Sequence, residues 1–130
     1  MPFIDLQLGQ PASLENRRTL AGRATDIIVE RLHKRREVTA VRVAEHAGEA
    51  WCVAGMPVAP ALRPAHCVVY ITTGTNSPAE KAACIADLHA LLTEVLGPLP
   101  EASYIVIQEV PATDWGYAGL TQAARRPATR

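Results

Sequence analysis

The sequence predicts an α+β fold in which two tandem βαβ units form one four-stranded sheet with both helices on one face. Three observations carry that expectation. The chain has 130 residues, the size of one ordinary domain. It repeats itself at a shift of 64 positions, which lays Trp51 on Trp115. Both copies show the same strand–helix–strand order of hydrophobic patterns. In the overlay Trp51-Cys52-Val53-Ala54-Gly55 falls on Trp115-Gly116-Tyr117-Ala118-Gly119 without a gap. Ser13 falls on Ser77, Glu30 on Glu94, Leu32 on Leu96, Glu37 on Glu101 and Glu45 on Glu109. The organisation expected is a single domain over 1–130, with repeats at 1–55 and 65–119 and a stiff, proline-rich linker at 56–64.

Each unit opens on a strand. In the first, Ile4, Leu6 and Leu8 alternate with Asp5 and Gln7, the pattern of a half-buried strand. Its counterpart, residues 67–73, is a continuous β-branched run suited to a more buried position. A helix follows in each. Ser13 caps the first, whose stripe is Leu20, Ala24, Ile27, Ile28 and Leu32, with the basic group His33-Lys34-Arg35-Arg36 at its negative end. The second begins Ser77-Pro78-Ala79-Glu80, a capping box with proline at the first helical position. Its stripe is Ile85, Leu88, Leu92 and Val95, and Gly97-Pro98 ends it. Closing strands are expected at 38–45 and 103–110, parallel to the strands that open the units. A small hairpin at each Trp-to-Gly segment completes the pattern. The sheet face away from the helices is left with Tyr70, Ile105, Ile107 and the tryptophans to cover, which points to subunit contacts.

Composition removes several functions. Thirteen Lys and Arg balance thirteen Asp and Glu, so the basic excess of a nucleic-acid binder is missing. No apolar run approaches a membrane span, and no signal-peptide pattern opens the chain, so a cytoplasmic protein is expected. Three cysteines, Cys52, Cys67 and Cys84, give neither a disulfide framework nor a zinc motif and are expected as reduced, packed thiols. The four histidines are scattered, and Thr73-Gly74-Thr75 is a turn rather than a phosphate loop. No metal and no cofactor is expected.

Two tandem βαβ units, the Met1-Pro2 start and the tail Glu109-Val110-Pro111-Ala112-Thr113-Asp114-Trp115-Gly116-Tyr117-Ala118-Gly119 together resemble the tautomerase superfamily, in its fused 4-oxalocrotonate tautomerase type. The resemblance spans residues 2 to about 121. It implies a homotrimer of tautomerase/MIF-like fold acting on a small carboxylate-bearing substrate. The activity implied is an isomerase moving a proton between carbon and oxygen of a 2-keto/enol acid. It also implies that the initiator methionine is removed and that Pro2 becomes the catalytic base and acid. The chemistry is sound by itself. A terminal prolyl nitrogen is a basic amine, whereas within a chain it is an inert amide. The second unit's counterpart of Pro2 is His66, which cannot offer a terminal amine.

The family's substrate-binding arginines would fall at Ala12 and Asn76 and at Ala40 and Tyr104. Arg42, two residues along the same strand face from Ala40, is the substitute expected, with Arg63, Arg17 and Arg18 as other candidates. The family's aromatic wall maps to Trp51 and Trp115, with Trp115 expected from a neighbouring subunit. Asn76 and Tyr104 complete the expected substrate-binding set. A malonate semialdehyde decarboxylase-like alternative would use Pro2 with Glu37, although its paired arginines fall on Gly74 and Asn76. The dehalogenases' histidine falls on Ile28. The alternative from another class is a non-catalytic ferredoxin-like βαββαβ binding module, in which Pro2 is incidental.

Overall fold

In a computed structural model of the protein, described here for residues 2–125, the alternation in β1 (Phe3–Leu8) sends Ile4, Leu6 and Leu8 into the core. Asp5 and Gln7 are left on the opposite face. Ser13 accepts from the Asn16 amide and starts α1 (Leu14–Leu32), whose stripe of Leu20, Ala24, Ile28 and Leu32 is buried. A 3-10 turn at Arg36–Val38 follows, so β2 begins at Ala40 and runs to Glu45, two residues later than the pattern suggested. β3 (Cys52–Val53) and β4 (Met56–Pro57) form the first hairpin. The second unit repeats the order: β5 (Ala65–Thr72), α2 (Pro78–Leu96), β6 (Ile105–Val110) and a hairpin of β7 (Gly116–Tyr117) and β8 (Leu120–Thr121). A final turn of helix, α3, spans Gln122–Arg125.

The main sheet has the order β2-β1-β5-β6. β1 pairs parallel with β2, β5 pairs parallel with β6, and the two units join antiparallel through β1 and β5. A βαβ crossover forces the parallel pairs, while the antiparallel seam brings the start of each unit beside the end of the other's first strand. Both hairpins turn on Ala-Gly with positive φ at each residue: 54° and 77° at Ala54 and Gly55, 51° and 80° at Ala118 and Gly119. That is the two-residue turn whose twist matches the flanking strands, and it explains why the repeat preserves this dipeptide.

Both helices cover one face, and the core is Ile4, Leu6, Leu8, Val69 and Ile71 of the sheet against the two helical stripes. Burying each such side chain contributes roughly 1.5–3 kcal/mol. The helices run antiparallel, with Arg23 paired to Glu94 and Arg31 to Asp87. The capping box at Ser77 forms as expected: its hydroxyl accepts from the Glu80 amide, and Glu80 accepts from the Ser77 amide.

Three expectations change. The stripe of α2 is Cys84, Leu88, Leu91 and Leu92, and Ile85 is exposed at the helix shoulder. Ile105 and Ile107 face the helices, because they sit opposite Cys67 and Val69 in the parallel pairing. The open face instead carries Phe3, Asp5 and Gln7 of β1, Ala40 and Arg42 of β2, and His66, Val68 and Tyr70 of β5. Of the cysteines, Cys67 and Cys84 are buried, and burial pushes both thiols up to about 12, but Cys52 is exposed.

Candidate functional site

Pro2 sits immediately before β1 and is fully buried. Its carbonyl accepts from the Ala40 amide at 3.3 Å, which ties the start of β1 to the start of β2. A cavity of about 600 Å³ opens beside it. β1 contributes Phe3 and Asp5, and the turn into β2 contributes Glu37, Val38 and Thr39. Ala40 and Arg42 come from β2, Tyr70 from β5, and Trp115, Gly116 and Tyr117 from the second hairpin. The walls are thus mostly apolar and aromatic, with one cation and two carboxylates set into them.

The polar groups are organised by the pleat. Asp5 and Arg42 are partners across the β1·β2 pairing and lie on the same open face. Arg42 grips the carboxylate with two bonds, Nη2 to Oδ2 at 2.8 Å and Nε to Oδ1 at 3.2 Å. Gln7 donates a further bond to Asp5 Oδ1 at 2.8 Å. The Arg42 bond is the main reason that the Asp5 carboxyl lies below its ordinary range, against a smaller opposing cost of burial. Arg42 also lies over the Phe3 ring at 5.8 Å, and Phe3 stacks on Tyr70 at 6.0 Å. A guanidinium has five N–H donors, and two are spent on Asp5, so three remain for a ligand.

Trp115 is positioned by its indole N–H, which donates to Thr72 Oγ1 at 3.1 Å. Thr72 is the last residue of β5 and is buried. The antiparallel seam places that end of β5 next to Phe3, so Trp115 of the same chain lines the Pro2 cavity. Gly116 allows the hairpin to close: a Cβ there would lie 1.9 Å from the Leu120 carbonyl oxygen. Arg125 lies over the Tyr117 ring at 3.9 Å and donates to the Tyr117 carbonyl, bracing the same hairpin.

The structure therefore brings Pro2, Arg42, Trp115 and Glu37 together and separates the other expected residues from them. Trp51 and Tyr104 line a different cavity, at the opposite end of β1 and β5. Asn76 lies between the helix ends, donating to the Leu32 carbonyl and to Glu80 Oε1, because its side chain links the end of α1 to the start of α2. Arg17 is held by Glu45, and Arg63 donates to Gln10, so each has a structural partner. Asp5, Tyr70 and Tyr117 were not anticipated. The alternation of β1 marks Asp5 as facing away from the core, but only the sheet pairing puts it beside Arg42. Among the described residues, no group of three or more His, Cys, Asp or Glu could hold a metal ion. No helix among them is long and apolar enough to cross a membrane.

Comparisons with known proteins agree with this architecture. A protein from Ralstonia nicotianae named a probable tautomerase is 40% identical over 50 residues, which cover 38% of this chain and 71% of the relative. Among solved structures, a wild-type fused 4-OT symmetric trimer superposes with a TM-score of 0.85 at 22% identity, covering 96% of this chain and 99% of that one. A wild-type fused 4-OT asymmetric trimer gives 0.82 at 25% identity, covering 96% and 99%. A macrophage migration inhibitory factor-like protein from Entamoeba histolytica gives 0.77 at 19% identity, covering 92% and 97%, and shares the fold. The family model described as tautomerase enzyme matches twice, over residues 2–60 and again over 67–125. One match falls on each βαβ unit and together they take in nearly all of the described residues, so the chain belongs to the tautomerase family.

Proposed function

We propose that the protein moves a proton between carbon and oxygen of a small 2-keto/enol acid, with Pro2 as general base and then general acid. The observation that carries this reading is the burial of Pro2 against a cavity that also holds Arg42 and an aromatic wall. Once Met1 is removed, the prolyl nitrogen is a secondary amine. Apolar neighbours such as Phe3, Val38 and Trp115 disfavour its ammonium form. The neutral amine takes the enol proton, the electron pair shifts through the conjugated system, and the ammonium returns the proton at carbon. Nothing is oxidised and no group is transferred. Arg42, oriented by Asp5, has donors to spare for the substrate carboxylate.

The open sheet face, with Phe3, Val68 and Tyr70 on it, supports assembly as a homotrimer like the fused 4-OT trimers. A reducing cytoplasm suits the buried thiols of Cys67 and Cys84. We take the chain as one domain of two fused units, 1–55 and 65–119, joined by 56–64. The direct test is Pro2→Ala, assayed by ketonisation of the phenylpyruvate or 2-hydroxymuconate enol. The rate is expected to fall roughly 10²–10⁴-fold with melting behaviour and assembly retained. An unchanged rate would remove Pro2 from the mechanism.

Glu37 on the same cavity favours a second reading, decarboxylation of a 3-oxo acid such as malonate semialdehyde. Release of carbon dioxide that is lost in Glu37→Gln, with ketonisation retained, would select it.

A further inference from the structure

The duplication that builds the Pro2 cavity builds a second one. At the opposite end of β1 and β5 lies a cavity of about 630 Å³, close in size to the first. Its lining follows the 64-position shift: His66 stands for Pro2, Tyr104 for Ala40, Trp51 for Trp115 and Val53 for Tyr117. The size and the lining positions are shared while the chemistry differs. Asp5, Glu37 and Arg42 line the first cavity, but the second is lined by no carboxylate and no Lys or Arg, and Asp5, whose charge reaches His66, is itself paired with Arg42. It holds two imidazoles, His66 and His46, with an indole and a phenol.

The hydrogen-bond pattern defines what those imidazoles can do. Gln7 donates its amide N–H to Asp5, so its oxygen is the acceptor for His46 Nε2 at 2.5 Å. His46 therefore carries a hydrogen on Nε2 and is held in place by Gln7. Trp51 meets the His46 ring at 6.2 Å in an edge contact, which fixes both walls relative to each other. His66 faces Gln7 across the β1·β5 seam, is half-buried, and makes no side-chain hydrogen bond with any described residue. A half-buried imidazole in a lined cavity with its ring nitrogens uncommitted is a group available to a ligand.

We propose that this second cavity binds a small planar carboxylic acid, aromatic or conjugated, with its plane against Trp51 and Tyr104 and its carboxylate on the imidazole of His66. Amphipathic aromatic walls suit the flat apolar body of such a ligand. A cavity lined by no carboxylate, with an imidazole N–H on offer, suits its anionic end. The inference goes beyond proton transfer at Pro2 and does not depend on it.

The test uses the full chain, uniformly isotope-labelled so that His, Arg and Tyr side-chain signals are all read, and trans-cinnamate as an unreactive probe. The His66 and His46 ring signals are expected to move with one saturable curve at millimolar cinnamate, while those of His33 and His89 stay fixed. A folded His66→Ala or His66→Gln chain is expected to bind at this site at least about tenfold more weakly, the weight of one charge-assisted hydrogen bond. Movement confined to Arg42 and Tyr117, with His66 and His46 still, would overturn the proposal and leave the Pro2 reading intact. So would equal affinity at this site in a folded His66 variant. Saturable movement of His66 in a chain that does not catalyse would uphold the proposal and count only against Pro2. The primary readout is on the unmodified chain, so a variant that misfolds cannot obscure it.

Discussion

Trp115→Ala removes a wall of the Pro2 cavity and a hydrogen bond at once, and the structure allows the two losses to be separated. The indole N–H is the donor to Thr72 Oγ1, and Thr72 is only 6% exposed, so truncation leaves a buried hydroxyl without that partner. Such a loss costs about 1–3 kcal/mol of stability. The missing ring also opens the cavity at the side where the substrate must be held against the prolyl nitrogen. Misplacing reacting groups by an ångström lowers turnover by about 10²-fold. Trp115→Phe keeps a ring and loses only the donor, so it should show most of the stability loss and little of the kinetic one. Adding Thr72→Val to Trp115→Phe should recover part of that stability, since neither partner is then left unpaired. The assay is ketonisation kinetics alongside urea unfolding, with Trp51→Ala as the comparison. Trp51 lines the other cavity, so its truncation should reduce turnover less than that of Trp115. Equal losses of kcat/KM in the two alanine variants, each tracking only its stability, would refute the reasoning.

Two further predictions come from the Asp5–Arg42 pair. Arg42→Ala should raise KM for a carboxylate substrate by about tenfold and lower kcat much less, because an exposed guanidinium contributes mainly uniform binding; steady-state kinetics with an uncharged enol analogue as control would show no such KM change. The folded Asp5 carboxyl lies below its unfolded range, so the stability it adds is fully present above the unfolded value of about 3.9. It is lost as pH falls through the folded value. The gap in melting temperature between the wild type and Asp5→Asn should therefore be constant from neutral to mildly acidic pH and close below about pH 4.

Much of the architecture could be read from the chain because it is written in local patterns. The alternation of β1, the serine caps and the Ala-Gly turns each specify their own conformation within a few residues. The repeat then said that they occur twice. What failed needed phase or distance. The run Ile105-Val106-Ile107 that opens β6 has no apolar–polar alternation and does not say which face is which; pairing with Cys67 and Val69 turns Ile105 and Ile107 to the helices. Glu45 and Glu109 mark the repeat, but the sequence assigns them no role. In the structure each reaches the first turn of its unit's helix, Glu45 to Arg17 at 2.8 Å and Glu109 to Lys81 at 3.3 Å, and those two cations are themselves 64 positions apart. At the site, Pro2, Arg42 and Glu37 are marked by motif and strand position, whereas nothing local reveals the antiparallel seam that puts Trp115 of the same chain on the Pro2 cavity. The place of Asn76 is hidden for a similar reason: its partners, Leu32 and Glu80, belong to two different helices.

The central claim is that a free prolyl amine at residue 2 carries the proton. The most direct measurement compares one preparation before and after removal of a cleavable N-terminal extension, with intact mass establishing in each case which residue comes first. The chain that begins at Pro2 is expected to ketonise phenylpyruvate enol at the full rate, rising with pH as the neutral amine becomes available. The extended chain, whose residue 2 nitrogen is an amide, should be inactive while melting and assembling as before. An extended chain that turned over at the full rate would contradict the account.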